Sequence, residues 1–216
     1  MQARLIVVPV LLAAAFLAAA VSPRPKFYEG MPFSESICDK QGRFIKLRAA
    51  ADGRYRVWLA LSEFSPLLTK ATLIEESRNE TDPATEIAQS VARRRLGQNG
   101  PDGATGWRRA RLMLEAWRLR ILYSPAELLE AYLNLSTYGD GIDGAGAASL
   151  VYFGKNPDQL TVTEAIDLSV LPDHPVRATL TGHDNPEDMA SRRKARKRVL
   201  KRWAEQGARK SARQPS

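Results

Sequence analysis

The stretch SPAELLEAYLNLSTYGDGIDGAGAA, residues 124–148, changes character halfway along. Ser124-Pro125-Ala126-Glu127 has the form of a capping box, in which a Ser and a Glu three residues later satisfy each other's backbone N–H groups, and it opens a helix through about Leu135. Gly139, Gly141, Gly144 and Gly146 then crowd into one loop. Such glycines permit tight turns and close backbone packing, and Asn134 is placed to tie the loop to its helix.

Helical signals continue on both sides. Thr161-Val162-Thr163-Glu164 repeats the capping box ahead of AIDLSVL. Upstream, Ser65-Pro66 pairs an N-cap with proline at the first helical position. Leu67, Leu68, Ala71 and Ile74 recur on one face of that helix, which leaves Glu75 at its end. Asp82 to Arg95 reads as a second helix, GQNGPDGATG as a loop and Trp107 to Tyr123 as a third helix. Only residues 37–60 depart from this pattern. Their alternation around Gln41-Gly42 and Asp52-Gly53 predicts short strands joined by turns, a small β-hairpin region ahead of the main body. The expected fold class is mainly α.

The 216 residues, 44% hydrophobic, suffice for one substantial core. Four segments are expected: a hydrophobic segment at 1–22, a Pro-rich linker at 23–36, a folded domain at 37–188 and a basic helical tail at 189–216. Leu5 to Val21 carries no charge. At about 1.5 Å per residue it barely crosses a hydrocarbon core of about 30 Å, which fits a short anchor or a cleaved signal peptide, with a buried core helix as the third reading. The net charge is +8, but Met189 to Ser216 alone carries +10, leaving −2 for the rest. In that tail Val199, Leu200 and Trp203 share one face. A solvated helix and a contact with anionic lipid or polymer are its two readings.

Cys38 is the only cysteine, so an intrachain disulfide and a cysteine-based zinc site are excluded, and it reads as a small buried apolar residue. His174 and His183 lack convergent ligand spacing, so no metal site is expected. There is no nucleic-acid motif.

Set beside Tyr152-Phe-Gly-Lys155, Glu164-Ala165 and Leu171-Pro172, the Glu127–Asn134 helix and the Tyr138–Gly144 loop form an ordered series. It resembles the peptidoglycan glycosyltransferase domain, glycosyltransferase family 51, of class A penicillin-binding proteins and monofunctional transglycosylases. The resemblance covers roughly Ile37 to Val199, and the segment before Glu75 looks most like the penicillin-binding protein 1C branch. It implies a lysozyme-like helical fold anchored in the inner membrane, with the domain on the periplasmic side. The implied activity polymerises a lipid-linked disaccharide-peptide precursor into glycan strands.

That reaction needs a base for the acceptor hydroxyl and polar or cationic groups for the departing pyrophosphate. By resemblance Glu75 is the catalytic base, and Glu76 takes the position of the family's neighbouring Asp. Thr85, Gln89, Arg108 and Arg109 are the substrate-binding candidates, while Asn134, Gly139, Gly141 and Gly144 form a structural motif. A divalent metal on the diphosphate is implied only for an active enzyme, and no organic cofactor is suggested.

Several positions depart from the family pattern. Asn79 stands where the motif has Phe, and Leu112 occupies the place of the second Glu. Glu115 lies almost one turn further on, a displacement of about 5 Å. Glu75 and Thr85 are only ten residues apart, where the family has a longer segment forming a mobile flap. Two readings follow: a working glycosyltransferase, or a degenerate member that binds precursor or glycan strand and serves other cell-wall synthesis proteins as a scaffold. A third is a helical membrane-surface protein whose basic tail binds anionic lipid. For the single residues the plain alternatives are an exposed helix-end Glu75, surface positions for Thr85 and Gln89, and a solvated arginine face.

Overall fold

The computed structural model describes residues 23–24, 26–41, 44–77, 82–97, 106–174 and 186–211. The run Leu5–Val21, His183 and residues 98–105 lie outside these. No helix among the described residues is long and apolar enough to cross a membrane.

Strands β1 (Glu35–Cys38) and β2 (Phe44–Arg48) form an antiparallel hairpin. β3 (Tyr55–Arg56) departs from the expected hairpin pattern. It runs parallel to β5 (Ile142–Asp143), which pairs antiparallel with β4 (Thr137–Gly139). The Asp52-Gly53 turn therefore hands the chain to the glycine loop, 87 residues downstream of Arg56 at its Asp143 partner. Charge fixes this pairing. Asp143 accepts two 2.6 Å hydrogen bonds from Arg54, and others from Arg56 at 2.9 and 3.2 Å.

The described residues form seven α-helices: α1 (Pro66–Glu76), α2 (Pro83–Arg95), α3 (Gly106–Leu122), α4 (Pro125–Leu135), α5 (Ala145–Phe153), α6 (Val162–Val170) and α7 (Pro186–Ser211); α5 takes in Gly146, which was expected in the glycine loop. Ser65 caps α1 through Leu67 N, and full capping boxes open α4 and α6. The main core gathers around α4, where Leu128, Ala131, Tyr132 and Leu133 meet Ile87, Val91, Leu119, Ala148 and Leu168.

Asn134 has a different tie from the one expected. Its amide joins α4 to the irregular segment after β3, accepting from Leu59 N at 2.9 Å and donating to Leu59 O at 2.8 Å. The glycine loop reaches Asn134 through backbone contact instead: a Cβ on Gly144 would lie 2.9 Å from Asn134 O. Cys38 is exposed rather than buried, because the β1–β2 hairpin is peripheral and leaves most of its residues in solvent.

A second, smaller core joins the C-terminal helix to the body. Ala71 and Ile74 of α1, Ile166 and Val170 of α6, and Ala195 and Val199 of α7 are buried together, with Trp203 packed against them. The solvated reading of the tail fails along this stripe. Val199 and Trp203 face inward as their spacing predicts, but Ala195 takes the third place and Leu200 is 36% exposed.

Two carboxylates lead us to expect a fold that weakens in acid. Burial alone would raise the Asp143 carboxyl, but hydrogen bonds and charge from Arg54 and Arg56 outweigh it and hold the group below its ordinary value. Glu164 is drawn down to about 2, first by its hydrogen bond from Lys155 and then by those from Thr161. Both groups have folded values below unfolded ones of about 4, so their stabilisation is complete above that pH and disappears as pH falls through the folded values. Resistance to denaturant should therefore drop between pH 5 and pH 2, and Glu164→Gln should flatten part of that slope. A pH-independent stability over this range would contradict the assignment.

Candidate active site and the helix that covers it

Glu75 shares the inward row of α1 with Leu68 and Ala71, spaced three and four residues apart. That geometry buries it: 1% of the residue is exposed, which overturns the reading of an exposed helix-end carboxylate. Its Oε1 is ion-paired with Arg198 of α7. Arg202, one turn further, donates to Ser77 O at 3.0 Å and Ile74 O at 3.5 Å, satisfying carbonyls at the end of α1. Lys70 completes the contact, its ammonium 3.8 Å from the centroid of the Trp203 ring. One stripe of α7 thus supplies apolar packing, a counter-ion and a helix cap to the segment carrying Glu75.

Glu76 is buried in the other direction. Tyr132 Oη donates to its Oε1 at 2.7 Å. Burial and then the Glu76 charge push the Tyr132 hydroxyl well above its ordinary value, so it remains a donor. Arg94 lies 5.2 Å above the Tyr132 ring. The pair holds α1, α4 and α2 together.

The substrate-binding candidates are spread over other elements. Thr85 donates to the N-cap Asp82 at 3.2 Å, and Asp82 also accepts from Arg120 at 3.1 Å. Gln89 is half-buried one turn along α2, while Arg108 and Arg109 are exposed on the first turn of α3. Leu112, in the place of the second Glu, is packed against the main core. Glu115 is engaged by Arg95 and, at 3.6 Å, by Arg118.

Among the described residues several clefts of similar size, about 410 to 480 Å³, open at the surface, and two of them lie against the helices just described. A polar one of about 480 Å³ is lined by Arg54, Arg56, Arg94, Arg95 and Asp143, and an apolar one of about 410 Å³ lies between α5, α6 and α7. Neither is lined by Glu75, Glu76, Thr85, Gln89, Arg108 or Arg109. No group of three or more His, Cys, Asp or Glu side chains converges among the described residues, so they do not compose a protein cage for a metal.

Arg198, Arg202 and Tyr132 are the partners that sequence reading missed. The signal for the two arginines was present in the run Ala195, Arg198, Val199, Arg202 and Trp203, whose spacing places all five on one stripe.

The mainly helical domain with a carboxylate pair ending its first helix is consistent with a transglycosylase domain, and residues 68–204 match the Transglycosylase family. The chain belongs to that family. The match runs through the part of α7 that packs on α1. The chain is 31% identical over 180 residues to "Penicillin-binding protein 1C" of Escherichia coli (strain K12), covering 74% of this chain and 23% of that protein. It is 31% identical over 154 residues to "Penicillin-binding protein 2D" of Bacillus subtilis (strain 168), covering 60% and 22%. A "Biosynthetic peptidoglycan transglycosylase" of Mannheimia succiniciproducens is 27% identical over 174 residues, 68% of each chain. The chain spans less than a quarter of the length of the two penicillin-binding proteins.

Proposed function

We propose that this chain is a non-polymerising member of the peptidoglycan transglycosylase family. It holds the lipid-linked disaccharide-peptide precursor, or a glycan strand made from it, at the outer face of the inner membrane, as a scaffold for other cell-wall synthesis proteins. Leu5–Val21 is its membrane segment in this reading.

The observation that carries the proposal is the state of Glu75. A general base must come within hydrogen-bond reach of the hydroxyl it deprotonates, yet the Glu75 side chain is only 2% exposed and paired with Arg198. Leu112 in the second carboxylate position and the short Glu75–Thr85 spacing point the same way. The names of the relatives supply the substrate class.

Binding of labelled precursor to the full chain in detergent tests the reading. The parent and Glu75→Gln should both retain precursor and release no polymer, whereas no retention by either would overturn it. The second reading, a working enzyme, is favoured by the survival of Glu75 at the helix end and requires α7 to move off α1.

A further inference from the structure

Helix α3 turns apolar side chains to solvent. Leu112, Ala116, Leu119 and Leu122 pack on the body. Trp107, Met113, Leu114, Trp117 and Ile121 are instead exposed by 62, 61, 57, 41 and 37%. At about 100° per residue, these five fall within one arc of about 120°. Arg109 and Arg120 border one edge of the arc, Arg111 and Arg118 the other; Arg120 is also held by Asp82 and Arg118 by Glu115, which leaves Arg109 and Arg111 as the outward-facing charges. Glu115 is the helix's only acid against five arginines, and it faces Arg95 and Arg118 rather than the stripe. An exposed apolar patch with a charged rim marks an interaction surface.

The stem of the chain is fastened at this edge. Arg118 donates to Pro23 O at 3.3 Å. Arg24 lies 3.6 Å from Glu127 and 5.8 Å over the Tyr123 ring, against which Phe27 also packs. Val21, the last residue of the charge-free run, is two residues before Pro23, a step of at most about 7 Å.

We propose that α3 lies flat in the surface of an anionic lipid bilayer, its stripe in the acyl boundary and its arginine rows against the phosphates, as a second membrane contact beside the Leu5–Val21 run. This rests on reading that run as a membrane segment. An interfacial helix has this composition, with Trp and aliphatic residues on one face and Arg or Lys on the other, and buries its apolar face by about 5–10 Å. Trp is the aromatic that favours this depth. A protein partner would also bury tryptophans, but arginine on both flanks and the adjoining apolar run favour lipid.

The test reconstitutes the full chain in vesicles of phosphatidylethanolamine and phosphatidylglycerol carrying bromine near the headgroup end of the acyl chains, and reads tryptophan emission. The chain has four tryptophans. Quenching is expected in the parent, largely lost in Trp107→Phe/Trp117→Phe and retained in Trp58→Phe/Trp203→Phe. It should weaken when phosphatidylcholine replaces phosphatidylglycerol. Equal quenching of the parent and Trp107→Phe/Trp117→Phe would overturn the proposal. So would absence of quenching together with a change from dimer to monomer in that variant, which would make the stripe a contact between copies. The readout needs neither precursor nor polymer, so its failure is distinct from failure of the binding reading.

Discussion

Replacing Arg198 with Ala is expected to destabilise the folded domain by about 2–4 kcal/mol, because it leaves the Glu75 carboxylate buried without its counter-ion. A fully buried pair loses about 3–5 kcal/mol when one partner is removed. The Arg198 side chain keeps 34% of its exposure against 2% for Glu75, so water can replace part of the lost partner and the lower part of the range applies. For a chain of this length that corresponds to a fall in melting temperature of about 4–16 °C. The double substitution Glu75→Leu/Arg198→Met should recover most of it, since an apolar pair of similar volume carries no desolvation cost. Thermal unfolding of the three proteins is the measurement. A shift below about 1 °C for Arg198→Ala would mean that α7 does not hold Glu75 in solution.

The other large effect is expected at Gly144→Ala, about 3 kcal/mol or more. Gly144 has φ of 87° and ψ of 142°, a region that side chains rarely adopt, at a cost of about 1–3 kcal/mol. The added Cβ would also meet Asn134 O at 2.9 Å, and backbone cannot swing aside as a side chain can. Relief would require moving α4 from the loop, breaking the 2.7 Å bond from Gly144 N to Ser136 O. Gly141→Ala is the control: its φ is 72°, but nothing lies within 4 Å of the added Cβ. It should cost only about 1–2 kcal/mol. Equal denaturation midpoints for the two variants would show that the close approach to Asn134 contributes nothing.

These two positions show what the sequence could and could not convey. The glycine loop as far as Gly144 was readable because its signal is local, though the helix that takes in Gly146 was not, and the starts of α1, α4 and α6 were readable because each is opened by a cap within four residues. The pairing of β3 with β5 was not, since two-residue strands carry no periodicity and their partners are 87 residues apart. The Asn134 amide meets Leu59 rather than the glycine loop, because nothing local announces that Leu59 offers both its N–H and its C=O. Cys38 misled through a general preference for burial that a peripheral hairpin does not obey.

The site shows the same division more sharply. Glu75 could be located by resemblance, but its burial depends on the register of α7 against α1, set by Ala195, Val199 and Trp203. The basic composition of that helix hid the stripe, since eleven Lys and Arg in residues 189–216 give no local sign of which one meets a buried carboxylate. The helix beginning near Asp82 was legible, whereas the clasp from Arg120 to Asp82 crosses 38 residues and left no trace in the spacing.

The most direct measurement is polymerisation of the lipid-linked disaccharide-peptide precursor by the purified full chain in detergent, with Glu75→Gln beside it. With Glu75 held by Arg198 under α7, neither protein should make glycan strands, while both retain the precursor. Strands from the parent and none from Glu75→Gln would contradict this, and would make Glu75 the base of a working transglycosylase.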